Sequence, residues 1–205
     1  GYIKRMPIDT YKSQRRGGKG ITGIATREED FVKQIFTAST HDTILFFSNK
    51  GKLYRLRGYE IPEAGRTAKG TAIVNLLSLD NGEKISAVIP IQNFAEGKYL
   101  LMATKNGLIK KTALTEYNSA RKTGLQAITL KENDELIRVR LTDGEDNVVL
   151  VTENGMCITF DEKDVRPMGR TAQGVMGIRL KDQDVVIGME SIISGSKETL
   201  LAITE

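Results

Sequence analysis

Paired glycines at a near-constant interval constrain this chain more than any other feature. Gly1 and Gly20, Gly51 and Gly70, Gly107 and Gly124, and Gly155 and Gly174 are separated by nineteen, nineteen, seventeen and nineteen residues. Before three of the leading glycines stands an apolar, β-prone run: Thr43–Ser48, Tyr99–Thr104 and Asn147–Thr152. The turns between are Asn49-Lys50-Gly51, Lys105-Asn106-Gly107 and Glu153-Asn154-Gly155. Asn-Gly between two apolar runs is a strong hairpin signal, because the turn requires positive φ. A second strand is expected after each glycine, at Tyr2–Arg5, Lys52–Arg55, Leu108–Lys111 and Met156–Thr159.

Each unit then offers further strand-like runs. These are Phe31–Thr37 in the first, Ala72–Leu76 and Lys84–Ile91 in the second, Glu135–Leu141 in the third, and Gly177–Leu180 and Asp184–Met189 in the fourth. No amphipathic helical stretch of useful length interrupts them. Four strands in roughly 50 residues is the arithmetic of a propeller blade. The fold class expected is all-β and propeller-like, with units of approximately 1–50, 51–106, 107–154 and 155–205; a repeating sandwich is the alternative. The final run, Thr199–Glu205, copies a strand that precedes a hairpin glycine. The chain therefore reads as a phase-shifted set of repeats from a longer array, with an open arc expected over a closed ring in which Ala202 would pair beside Ile3.

Before each second glycine lies a basic stretch. The richest is Gln14-Arg15-Arg16-Gly17-Gly18-Lys19-Gly20, followed by Arg66-Thr67-Ala68-Lys69-Gly70, Arg121-Lys122-Thr123-Gly124 and Arg170-Thr171-Ala172-Gln173-Gly174. Arg and Lys beside flexible glycines offer charge and N–H donors to phosphate oxygens. Cations also stand four residues after the leading glycine, at Arg5, Arg55 and Lys111, until Thr159 breaks the series. The chain's formal net charge is +4, and the cations concentrate in the first two units. Contact with an acidic partner is expected to be strongest there.

Other chemistry has little support. His41 is the only histidine and is expected in a solvated turn, which leaves no histidine-based metal site. The acidic groups Glu28-Glu29-Asp30 and Asp143-Gly144-Glu145-Asp146 read as solvated turns. Tyr2, Tyr54 and Tyr99 are expected on strands, and Tyr11, Tyr59 and Tyr117 in the loops before the second glycine, packing at the rim. Cys157, the single cysteine, is expected as a buried core thiol. No apolar run approaches the roughly 18 residues needed to span a bilayer, and no signal-peptide pattern opens the sequence. The absence of tryptophan argues against single-strand stacking.

The stretch Gln14–Gly20, with Gly1-Tyr2-Ile3-Lys4-Arg5-Met6-Pro7 before it and its weaker copies after it, resembles the seven-residue box of the C-terminal DNA-wrapping domain of DNA gyrase A subunits. The resemblance covers the whole chain. It implies a β-pinwheel, a propeller-like disc whose blades exchange strands, and a rim that wraps duplex DNA with positive handedness to support ATP-dependent negative supercoiling. Such domains usually have about six blades, so four units is a departure. The DNA-binding residues it implies are Gln14, Arg15, Arg16, Gly17, Gly18, Lys19, Gly20, Lys4, Arg5, Arg55, Arg66, Lys69, Lys110, Lys111, Arg121 and Lys122. The domain would be non-catalytic and free of metal and cofactor, with ATP and Mg²⁺ used elsewhere in a type IIA topoisomerase. Partners would be duplex DNA, the rest of the gyrase A subunit, plus the gyrase B subunit, in an A2B2 complex. The setting would be the bacterial cytoplasm at the nucleoid and not a membrane. The related topoisomerase IV C subunit usually lacks an intact box, so the box here favours gyrase. A protein-binding propeller scaffold and a propeller hydrolase are the competing readings; the first needs no basic repeat, and the second needs convergent acids, histidines or metal ligands.

Overall fold

Hairpins form where the Asn-Gly turns place them, in a computed structural model that describes residues 1–10, 14–20 and 31–196. Strands β2 (Thr43–Ser48) and β3 (Lys52–Arg57) pair with Phe46 opposite Tyr54. Strands β6 (Tyr99–Thr104) and β7 (Leu108–Ala113) repeat the arrangement, as do β10 (Asn147–Thr152) and β11 (Cys157–Asp161). The first strand of each hairpin is then covered on its other side by a strand that comes later in the chain. These inner strands are β5 (Ile85–Ile91), β9 (Leu136–Thr142) and β13 (Val186–Ile192). A bulge recurs at one position in all three pairings, at Phe47/Ser48, Ala103/Thr104 and Val151/Thr152.

The fourth strand of a sheet comes from the next unit. β8 (Leu125–Gln126), just after Gly124, pairs with Lys52–Leu53 of β3. β12 (Val175–Met176), just after Gly174, pairs with Leu108–Ile109 of β7. β4 (Thr71–Ala72), just after Gly70, pairs with β1 (Tyr2–Ile3). Two four-stranded sheets result, in the orders β5-β2-β3-β8 and β12-β7-β6-β9, beside β11-β10-β13 and the pair β1-β4. This is the strand exchange of a β-pinwheel.

The sheets stack like propeller blades. Leu45 and Phe47 join Leu100, Met102, Leu136 and Val139 in one core. Their neighbours Ile44 and Phe46 point the other way, to Tyr54, Leu56, Ile73 and Leu77. Leu101 and Ile109 pack with Leu150, Val186 and Met189 in a third core. A sheet buried on both faces is incompatible with a two-sheet sandwich, where each sheet keeps one face in water. Burying each Leu or Phe contributes about 1.5–3 kcal/mol, so these three cores hold the stack together. β5 lies beside β9 and β9 beside β13, which puts the long inner strands at one end and the exchanged strands at the other.

Several expectations change. The long strand expected over Ala72–Leu76 shortens to Thr71–Ala72 and passes into a 3₁₀ turn at Ile73–Asn75. Gly177–Leu180 is not a strand; the exchanged strand ends at Met176, and Gly177 and Ile178 donate their N–H groups to the Gly107 carbonyl at 2.8 and 3.2 Å. Phe31–Thr37 is exposed and unpaired as a strand. Its equivalents β5 and β9 pair with the strand before a hairpin glycine. Instead, Lys33 and Gln34 donate to the Ile85 and Val88 carbonyls of β5 at 3.0 and 2.9 Å. Cys157 is exposed, contrary to expectation, because no strand covers the outer edge of β11 among the described residues. Of the tyrosines, Tyr54 and Tyr117 are fully buried and Tyr59 is exposed. Tyr11, Glu28–Asp30 and the expected relation of Ala202 to Ile3 lie outside the described residues.

The glycines carry the exchange as well as the turns. At Gly51 and Gly107 a β-carbon would lie 2.7 Å from the carbonyl of Ile128 or Ile178 in the next unit. At Gly174, φ is +98° and a β-carbon would meet the Ile109 carbonyl at 2.6 Å. Backbone conformation and a crossing chain both require glycine there. Gly174→Ala is expected to destabilise the fold by about 2–3 kcal/mol, measured by urea denaturation. Gly169→Ala, in the same loop but with open space around its α-carbon, is expected to be close to neutral.

Candidate nucleic-acid interface

The four basic stretches fold into one kind of turn. Gly18 N–H bonds the Arg15 carbonyl at 3.0 Å, Ala68 bonds Gly65 at 3.1 Å, Gly124 bonds Arg121 at 3.2 Å, and Ala172 bonds Gly169 at 3.1 Å. The turns at 65–70, 121–124 and 169–174 run directly into β4, β8 and β12, the outermost strands of their sheets. In the first turn, the Gln14 side-chain oxygen accepts the Gly20 N–H at 2.9 Å and closes the loop. A β-carbon on Gly18 would sit 2.5 Å from that oxygen. Gln14, Gly17, Gly18 and Gly20 are thus framework, and Arg15, Arg16 and Lys19 are exposed upon it.

Arg66, Arg121 and Lys122 are exposed on the second and third turns. Lys69 stands 3.9 Å from the centre of the Tyr2 ring, a cation–π contact that orients its ammonium. Lys122 pairs with Glu60 at 2.7 Å, an exposed pair of the kind worth at most about 1 kcal/mol. The fourth turn differs. Arg170 is half-buried and donates inward to the Gln126 carbonyl at 2.7 Å, and Gln173 stands where the second turn has Lys69.

Cations at the third and fourth positions after the hairpin glycine tie units together. Arg5 Nε donates to the Ile61 carbonyl at 2.9 Å, and its guanidinium pairs with Glu63 at 2.8 Å. Arg55 donates to the Asn118 carbonyl at 3.0 Å. Lys111 donates to the Glu162 carbonyl at 2.8 Å, with the buried Glu162 carboxylate 4.0 Å away. Lys4 reaches the carbonyls of Gly65, Arg66 and Ala68. Lys110 reaches those of Ala127 and Arg170. Each of these cations finds an acceptor in the following unit.

The expectation that Lys110 and Lys111 face DNA is therefore corrected: their side chains are buried, Lys110 fully. The next unit folds across this side of the hairpin and supplies carbonyls in place of phosphates. Sequence reading also missed Gln126 and Thr129, whose backbone or hydroxyl holds the fourth turn. No local signal marks them, since their partners lie 44 and 42 residues away.

Two buried aspartates brace hairpin turns, and a buried glutamate at the matching position holds a strand tyrosine. Asp134 accepts the N–H groups of Asn106 and Glu135 at 2.9 and 2.8 Å. Asp184 does the same for Asn154 and Val185 at 3.1 and 2.9 Å. Glu83 accepts from the Tyr54 hydroxyl at 2.7 Å. All three are buried and framework in character.

Stacked sheets with exchanged outer strands and basic turns on the outer edge define a class, the β-pinwheel. A family model described as the DNA gyrase C-terminal domain, β-propeller, matches residues 1–39, 42–92, 98–143 and 146–193, and the chain belongs to that family. The DNA gyrase A subunit of Clostridium acetobutylicum is 57% identical over 177 residues, 86% of this chain and 21% of the relative. That of Staphylococcus epidermidis is 47% identical over 205 residues, 100% of this chain and 23% of the relative. The chain thus spans less than a quarter of these relatives' length. A crystal structure of the C-terminal domain of DNA topoisomerase IV superposes with a TM-score of 0.80 at 34% identity, covering 95% of this chain and 59% of that one. A DNA gyrase A C-terminal domain superposes at 0.72 with 28% identity, covering 93% and 61%.

Burial, with Arg170 alongside, pushes the Lys110 amine down to about 7. In an unfolded chain it titrates near 10.4. Between those values the unfolded state binds the extra proton, so this group's contribution to stability rises with pH across that window and is flat below it. Denaturation midpoints of the wild type, taken at pH 6.5 and 9.5 and compared with Lys110→Met, are expected to show this gain in the wild type only.

Proposed function

We propose that this chain binds duplex DNA without sequence preference and wraps it along the outer turns. The observation that carries the reading is the repeated turn with its cations outward, richest at Arg15, Arg16 and Lys19. The contacts on offer are charges and backbone donors, which meet phosphates and read no bases. Bending 20–30 base pairs by 40–90° costs about 1–6 kcal/mol. One non-specific patch, with Kd of about 10⁻⁴ to 10⁻⁶ M, supplies about 5–8 kcal/mol and holds bent DNA poorly. Successive turns in a curved stack hold it well.

The role in a whole enzyme follows from the family. The domain would supply wrapping to DNA gyrase, a type IIA topoisomerase. Cleavage and ATP hydrolysis, with Mg²⁺, would fall to the rest of the gyrase A subunit, together with the B subunit. A bacterial cytoplasmic setting fits that role. Among the described residues no helix is long and apolar enough to cross a membrane, and no cluster of three metal-ligating side chains forms. The inward Arg170 and the substitution by Gln173 support the expected fading of DNA contact toward the fourth unit.

In a salt series with a mixed-sequence duplex, log K is expected to fall against log[salt] with a slope of about −0.9 per phosphate neutralised. Replacing Arg15, Arg16 and Lys19 with Ala should flatten that slope by about 2–3 while leaving the melting temperature within a few degrees. In whole gyrase the same triple change is expected to abolish supercoiling and spare relaxation. A flat salt response in the wild type would sink the reading.

A further inference from the structure

The second turn has a polarity that its side chains do not explain. The Lys4 ammonium, from the preceding unit, gathers the Gly65 carbonyl at 3.1 Å, the Arg66 carbonyl at 2.5 Å and the Ala68 carbonyl at 2.9 Å. The described peptide bonds are all trans. In a trans peptide the N–H of each residue points opposite to the carbonyl before it. Turning the carbonyls of Gly65 and Arg66 toward Lys4 therefore turns the N–H groups of Arg66 and Thr67 away from it. Both residues are exposed. The Ala68 N–H is used inside the turn, whereas those of Arg66 and Thr67 meet no acceptor among the described backbone bonds. Successive outward N–H groups form an anion-binding concavity, here between the side chains of Arg66 and Lys69.

We propose that Lys4 is a positioning residue. By tying the carbonyl face of the turn to the preceding unit, it presents the Arg66 and Thr67 N–H groups as a seat for one phosphodiester oxygen of duplex DNA. This rests on the DNA-binding reading above and adds a backbone contact to it. The fourth turn shows the same device without the surrounding charge. Lys110 holds the Arg170 carbonyl, and the Thr129 hydroxyl holds that of Thr171 at 2.7 Å. The inward Arg170 leaves that copy with only its backbone donors. The preceding-unit lysine thus belongs to the turn's framework, and the outward cations vary upon it.

The seat and a direct Lys4–phosphate contact differ in their salt dependence. Uncharged amides release no counterions of their own, whereas a lysine on a phosphate contributes about 0.9 to the slope. Fluorescence anisotropy of the 205-residue chain on a mixed-sequence duplex reads both quantities. Lys4→Met is expected to weaken binding about fivefold at every salt concentration with the slope unchanged, and Lys4→Arg to restore affinity. A second pair of variants leaves Lys4 alone. Arg66 is the second residue of its turn, where proline fits, so Arg66→Pro and Arg66→Ala lose the same charge but only the proline loses the N–H. Arg66→Pro is expected to bind about threefold more weakly than Arg66→Ala. Equal affinity of those two, or a slope reduced by about 0.9 in Lys4→Met, overturns the proposal while leaving the DNA-binding reading in place. A wild type that binds no DNA removes the reading and the proposal together.

Discussion

The carbonyl of each of the first three hairpin glycines receives N–H groups from the unit that follows. Gly1 accepts from Ile73, Gly51 from Ala127 and Ile128, and Gly107 from Gly177 and Ile178, at 2.8 to 3.2 Å. Unpaired backbone groups at a strand end would cost free energy if buried dry, and this contact satisfies them with the neighbour's chain. It also fixes where the exchanged strand begins and so how one sheet sits on the next. The absence of a β-carbon at Gly51 and Gly107 is what lets the chains approach.

Around that contact the cations divide into two populations that composition cannot distinguish. Lys4, Arg5, Arg55, Lys110 and Lys111 on the hairpins face the following unit and reach its main-chain carbonyls. On the outer turns Arg15, Arg16, Lys19, Arg66, Arg121 and Lys122 face solvent, whereas Arg170 on the fourth turns inward. A buried ammonium survives only where several acceptors replace its water, and Lys110 has two carbonyls and the Tyr117 hydroxyl within 3.4 Å. Lys111 has the Glu162 carbonyl and carboxylate. The formal charge therefore overstates the field available to a partner in the third unit.

The long strands were legible because their signals are local. Thr43–Ser48, Tyr99–Thr104 and Asn147–Thr152 begin and end where the apolar runs and Asn-Gly turns put them. The exchanged strands are two residues long and form only against a partner some seventy residues away, so Gly177–Leu180 looked more strand-like than Val175–Met176. Lys110 and Lys111 misled for the same reason. Their sequence neighbourhood matches that of Lys4 and Arg5, and only the next unit's path decides what they meet. Cys157 sits in an apolar run that would be buried in any earlier hairpin, yet β11 has an uncovered outer edge among the described residues. The outer turns were readable as basic and glycine-rich, but their shared hydrogen bond and the lysine beneath them were not.

Strand exchange also sets a timetable for synthesis. Domains tend to fold as the ribosome delivers them, from the N-terminus onward. Here the sheet begun by Thr43 cannot close until Leu125 and Gln126 have emerged, and the one begun by Tyr99 waits for Val175 and Met176. Each of these blades spends one further repeat of translation with its outer edge open. Exposed edges invite pairing with other chains, so the nascent polypeptide carries an unfinished blade as it grows, and its assembly has a fixed direction.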